Sequence, residues 1–173
     1  MSKLWNWITK IIGKNDLEKY LDPVTLIQEQ YKVVAVDYDG CICFWKFPES
    51  GDPYIWTDDN GKPLKFYDGK VFTTIELLRK FRKAGWKIII HTSRVNKHWV
   101  AEEREICCGQ MLLWLKQHRV PFDSVWGMRY IEGNWTFCDD DIGKPVCSAY
   151  IDDFGCRVGS KDIIGIMKDF SIS

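Results

Sequence analysis

The sequence predicts an α/β fold built on a parallel sheet. Two observations carry that expectation: compact apolar runs rich in β-branched residues alternate with segments of helical periodicity, and each run ends in polar, chemically capable residues. Strands separated by helices imply right-handed crossovers, and such sheets bind ligands beyond the carboxyl ends of their strands.

The elements follow in order. Leu4, Trp5, Ile8, Ile11 and Ile12 recur at helical spacing among Lys3, Lys10 and Lys14, which predicts a short amphipathic helix ending at Gly13 and Asn15. Its pattern fits docking on its own domain or on a partner subunit, with a membrane surface as the alternative. Asp22, Pro23 and the periodic Val24, Leu26 and Ile27 predict a second short helix. Lys32 to Val36 reads as a central strand buried on both faces, followed by a turn at Asp39 and Gly40. Between Trp45 and Asp68 the Pro, Gly and Asn signals predict an inserted hairpin.

Asp68 is placed to cap a helix over Val71, Ile75, Leu78 and Phe81 that stops at Gly85. Lys87 to Ile90 is the second strand, ending in His91, Thr92, Ser93 and Arg94. A helix from about His98 to His118 follows, with Trp99, Ile106 and Leu113 seven apart, then a third strand over Val125 to Tyr130. Glu132 to Asp141 reads as a turn or loop, and Ala149 to Ile151 as a fourth strand ending in Asp152 and Asp153. Residues 1–29 are thus expected to form an N-terminal helical extension and residues 30–173 a single domain, with a small cap or flap insertion at 45–68.

Composition narrows the function classes. With 24 basic and 24 acidic side chains there is no overall field to draw the chain to nucleic acid or membrane, so any anion site must be local. The longest apolar runs fall far short of the ~20 residues of a bilayer span. Seven scattered cysteines in an odd count, with no CxxC and no leader pattern, point to reduced, buried or idle thiols and a cytoplasmic location.

Phosphate-monoester hydrolysis needs a nucleophile, a proton donor for the departing oxygen, a hard cation and fixed donors for the phosphoryl oxygens. The strand ends offer each. Asp37 and Asp39 lie two residues apart across a sharp turn, the first able to attack phosphorus and the second to serve the leaving group. Mg²⁺ between Asp37, the turn at Asp39 and Asp152 or Asp153 would keep converging carboxylates ionised. Thr92 offers a hydroxyl and nearby backbone N–H groups to phosphate, and Lys144 a compact positive charge for the phosphate or the aspartate.

Val33-Val34-Ala35-Val36-Asp37-Tyr38-Asp39-Gly40 resembles motif I of the haloacid dehalogenase-like (HAD) superfamily, a hydrophobic strand followed by DxDG. Ile88-Ile89-Ile90-His91-Thr92-Ser93-Arg94 resembles motif II, Gly143-Lys144-Pro145 motif III, and Tyr150-Ile151-Asp152-Asp153 motif IV, in the family's order. The resemblance runs from about residue 31 to about residue 160, with Cys41 departing from the usual residue after DxDG. A looser likeness is to polynucleotide 3′-phosphatase domains.

What the resemblance implies is a three-layer Rossmann-like parallel sheet with helices on both faces. It also implies a Mg²⁺-dependent phosphatase acting through an aspartyl-phosphate. In that scheme Asp37 is nucleophile, Asp39 acid/base, and Thr92 and Lys144 hold phosphoryl oxygens beside Ser93 and Arg94. Asp37, Asp39, Asp153 and Asp152 bind the metal, with Asp153 as the direct ligand of the last pair. The expected partner is a small phosphorylated metabolite or nucleotide; the alternatives are a nucleic-acid 3′-end or a non-catalytic phosphate-binding role. Residues 1–29 are a candidate oligomer or peripheral contact. Arg94 is equally suited to substrate phosphate or to capping the next helix, and His91 to a satisfied place in the core. Trp45, Tyr54 and Trp56 suit hairpin packing, with stacking on a ring as the alternative.

Overall fold

The computed structural model describes residues 20–28, 32–46, 49–66, 68–141 and 143–152. The amphipathic segment at residues 3–15, Cys156 and the motif IV residue Asp153 lie outside the described residues.

The fold is mixed α/β, a small parallel core sheet flanked by helices and joined by antiparallel hairpins. In chain order the elements are α1 (Pro23–Gln28), β1 (Val33–Asp37), β2 (Cys43–Lys46), β3 (Glu49–Pro53), α2 (Thr74–Lys83) and β4 (Lys87–His91). There follow a 3-10 turn (Ser93–Val95), α3 (Ala101–Gln117), β5 (Ser124–Val125), β6 (Met128–Ile131), β7 (Asn134–Phe137) and β8 (Ala149–Ile151). The core sheet has the order β5-β4-β1-β8, and every neighbouring pair in it is parallel.

β1 sits inside that sheet, which is why Val33 to Val36 are all apolar and buried. Strand alternation sends successive side chains to opposite faces. Val34, Val36, Ile88 and Ile90 accordingly join one apolar cluster with Leu78 and Phe81 of α2 and Met111 and Leu112 of α3. Val33 and Ile89 form a second cluster with Leu26 of α1. Tyr20 packs its ring 5.1 Å from Phe122 and 4.8 Å from Trp135, so residues 20–28 contribute to the core.

Five elements depart from the sequence expectations. The helix assigned to Asp68 begins at Thr74, because Thr73 is extended (φ −120°, ψ 155°) and its hydroxyl accepts the Glu76 N–H. Thr73-x-x-Glu76 is a capping-box spacing, and such a cap contributes about 1 kcal/mol. Asp68 instead accepts the Lys70 N–H at 3.0 Å within a turn, and Val71 is exposed. In the next helix, α3 starts at Ala101, leaving Trp99 outside it. Its buried stripe runs through Cys107, Cys108, Met111, Leu112 and Leu115, whereas Ile106 is 38% exposed.

The expected strand from Val125 to Tyr130 is broken at Trp126–Gly127. Gly127 has φ +82° and a Cβ there would lie 2.8 Å from Val95 Cγ2, so the chain turns where only glycine fits. β5 ends in the parallel sheet, and β6 leaves it to pair with β7 across Glu132–Gly133. The segment expected as a loop therefore contains a strand.

The insertion begins earlier than expected, at Cys43, as the β2–β3 hairpin, and continues as a loop array held by the Ile55–Thr73, Thr57–Pro63 and Lys65–Val71 bridges. Two of its aromatics, Trp56 and Phe66, are buried, whereas Phe44 is exposed. Trp56 is buried, donates Nε1–H to Thr74 Oγ1 at 2.9 Å and meets Tyr54 edge-on at 5.4 Å. Tyr54 also contacts Phe44 at 5.0 Å.

Candidate active site

The register of the sheet assembles the site. Asp37 pairs with His91 across β1 and β4, and Val36 pairs with Ile151 across β1 and β8, so Asp152 continues β8 beside the end of β1. Three adjacent strand ends thus deliver Asp37, Thr92 and Asp152 to one edge of the sheet. Lys144 reaches the same edge from the loop before β8, since its ammonium is hydrogen-bonded to Asp152 and feels the charge of Asp37.

Around Asp37 the backbone turns sharply. Asp37 Oδ1 accepts the Tyr38 N–H at 2.7 Å, and Gly40 takes φ +76°. Tyr38 is fully buried and donates its hydroxyl to Ser50 Oγ at 2.7 Å, tying the turn to β3. Burial pushes its phenol far above the ordinary value, so it acts as a neutral anchor. Cys41 and Cys43 are buried in the same turn, and burial pushes the Cys43 thiol up to about 11, which suppresses thiolate chemistry there.

Two polar groups form at this edge. In the first, Arg94 donates Nε–H to Asp39 Oδ2 at 2.8 Å and Nη2–H to Asp39 Oδ1 at 2.7 Å, a bidentate fork. Thr92 Oγ1 approaches Asp39 Oδ2 at 3.5 Å and accepts the Arg94 N–H at 3.2 Å, so it caps the 3-10 turn. Arg94 also donates to the carbonyls of Glu49 at 2.8 Å and Cys107 at 3.4 Å, and lies 5.1 Å from the Tyr38 ring. Burial opposes its charge, but the hydrogen bonds and field of Asp39 outweigh this and hold it above its ordinary pKa. Its side chain is 0% exposed, and its guanidinium binds Asp39 and two strand and helix carbonyls, where the sequence offered phosphate or a helix cap.

The second group is Lys144 with Asp152, whose side chains are 56% and 3% exposed. The hydrogen bond to Asp152 raises the lysine above its ordinary value. His91 lies beside this pair. Burial first, and Lys144 second, pull its imidazole down to about 4. Its Nε2 is buried without a hydrogen-bond partner among the described residues, in contrast to the satisfied core histidine expected from the sequence. Ser93 is exposed at the mouth of the edge.

Among the described residues no cluster of three or more His, Cys, Asp or Glu side chains forms a ready metal cage. The donor chemistry at the edge still suits a hard cation: Asp37 and Asp152 offer carboxylate oxygens from adjacent strand ends, and Mg²⁺ commonly rests on one or two carboxylates plus water and substrate phosphate. The Asp39 carboxylate is turned to Arg94 through both oxygens, which leaves the backbone of its turn as the part of Asp39 suited to a cation.

A cavity of about 300 Å³ opens beside Thr92 and Ser93, between the 93–98 loop, the Trp126–Gly127 turn, and Cys138, Asp139, Asp141 and Gly143. The sequence reading missed it, because only His91, Thr92, Ser93 and Gly143 of its lining belong to motif segments, and the strand break and loop that complete it carry none. No helix among the described residues is long and apolar enough to cross a membrane. The chain matches no family model, no curated protein and no solved structure.

Proposed function

We propose that the protein is a Mg²⁺-dependent phosphate-monoester hydrolase of the HAD-like type, on a three-layer Rossmann-like fold with the 43–68 insertion as a minimal cap. The observation that carries the reading is the placement of Asp37, Asp39, Thr92, Lys144 and Asp152 at one edge of three neighbouring parallel strands. That is where a parallel sheet binds ligands, and it is the residue set that phosphoryl transfer to a carboxylate requires.

In the proposed reaction an Asp37 oxygen bonds to phosphorus as the ester P–O bond breaks, and the leaving oxygen takes a proton from the Asp39 carboxyl. Water then attacks the aspartyl-phosphate while Asp39 takes its proton, releasing phosphate and restoring Asp37. Asp39 accepts two hydrogen bonds from Arg94, so the fork positions its carboxyl group while favouring the ionised form, the form that takes the proton of the attacking water. Thr92 and Lys144 hold phosphoryl oxygens, and Lys144 already carries the charge for it. Asp37, Asp152 and the turn at Asp39 would hold Mg²⁺, with Asp153 next in sequence. When bound, the cation supplies positive charge that lets a carboxylate approach a negative phosphate.

Phosphate release from p-nitrophenyl phosphate by the full chain tests this. Turnover that needs Mg²⁺, stops in EDTA and falls at least about a thousandfold in Asp37→Asn is expected, since an amide cannot serve as the nucleophile. Release that persists in Asp37→Asn, or the absence of any release from a folded, Mg²⁺-supplied protein, overturns the proposal.

A further inference from the structure

The cavity beside Thr92 has the features of a leaving-group site. Its volume, about 300 Å³, lies at the lower end of the roughly 300–1,000 Å³ span of small-molecule sites. One wall is Trp126, whose indole is fixed rather than free: its backbone N–H is bonded to Ile90 O at 2.8 Å and its Nε1–H to Gly143 O at 2.9 Å. It also packs on the apolar cluster of Leu26, Val33 and Ile89. A pre-set aromatic face of this kind takes a planar ring at little entropic cost.

The charges of the cavity are already matched. Asp141 receives a fork from Arg129, and Asp139 a hydrogen bond from Arg104 at 2.7 Å. A strongly charged leaving group therefore has no counter-charge to find on that side. What faces a ligand is neutral and polar: Asn96 spends its side-chain oxygen on the His98 N–H at 3.0 Å, and its amino group has no partner among the described residues. Only Lys97 adds an exposed cation, too little for a nucleic-acid track.

We infer that this cavity binds the nucleoside portion of a mononucleotide, with the base stacked on Trp126 and an edge hydrogen-bonded by Asn96, while the phosphate reaches Thr92. The inference rests on the phosphatase reading for the role of the phosphate, and adds the substrate class. A ring on Trp126 and a phosphoryl group at Thr92 are joined through one continuous cavity, since both residues line it.

The test compares phosphate release by the full chain from adenosine and uridine 5′-monophosphates with release from glycerol 3-phosphate, in wild type and Trp126→Leu. Expected is a kcat/KM about tenfold or more higher for the nucleotides, erased in Trp126→Leu through a raised KM, with glycerol 3-phosphate turnover unchanged within about twofold. Equal kcat/KM for all three, or a preference that survives the substitution, overturns the inference and leaves the phosphatase reading standing. Should Trp126→Leu not fold, Asn96→Ala at an exposed loop position takes its place: a nucleotide KM raised about threefold or more supports the site, and unchanged kinetics overturn it. If no substrate releases phosphate, the phosphatase reading has failed, and equilibrium dialysis of adenosine decides the cavity by itself. Binding that weakens in whichever variant folds supports it; no binding, or binding indifferent to the variant, overturns it.

Discussion

A guanidinium that is wholly buried and forked onto Asp39 has no equivalent among the other cations, because lysine offers a point charge and cannot bond both carboxylate oxygens in one plane. Arg94→Lys is expected to lower kcat about ten- to a hundredfold with KM little changed, read by steady-state kinetics. Arg94→Met leaves a mostly buried carboxylate without its partner and is expected to cost about 3–5 kcal/mol in urea unfolding. His91 gives a pH signature. Burial and Lys144 hold its folded-state value at about 4 against 6.5 when free, so the unfolded chain takes up the proton first as pH falls. Its contribution is complete above about pH 6.5 and lost between there and about pH 4, on the order of 3 kcal/mol. In EDTA, urea midpoints should fall across that window in wild type and fall less in His91→Asn. At this scale the sequence was informative about which residues gather, since Asp37, Thr92 and Asp152 stand at strand ends, but it offered Arg94 phosphate or a helix cap, because its actual partners come from a turn, a hairpin and a helix far apart in the chain.

Elements whose signals are local were legible: α1 starts where Asp22 accepts the Thr25 N–H, β1 and β4 stand where β-branched runs stand, and β8 covers the expected Ala149 to Ile151. Elements decided by packing were not. Three of the residues seven apart near α3 suggested the wrong face, because the buried stripe is set by what α3 meets in the core. Met111→Ala is therefore expected to cost about 2–5 kcal/mol and Ile106→Ala under about 1 kcal/mol in equilibrium unfolding. The β6–β7 hairpin turns on Glu132 and Gly133, both at positive φ, which is the pattern that prefers Asn-Gly. Glu132→Asn is expected to raise stability by up to about 1 kcal/mol, measured by thermal unfolding.

Across the whole molecule, two separate apolar clusters sandwich the parallel sheet, and the smaller one depends on α1. Leu26 is buried against Val33 and Ile89, and the partly buried Tyr20 packs on Phe122 and Trp135 of the larger cluster. A chain beginning at residue 30 should consequently be at least about 3 kcal/mol less stable than one beginning at residue 20, by loss of the buried Leu26 and the partly buried Tyr20. Phosphoryl transfer to Asp37 at the sheet edge is read out by mass spectrometry of protein quenched in acid during turnover of p-nitrophenyl phosphate with Mg²⁺. A phosphoryl group on the peptide that contains Asp37, accumulating further in Asp39→Asn because the water-activating base is gone, is the expected result. Steady phosphate release with no phosphoryl group on that peptide in either protein would contradict the account.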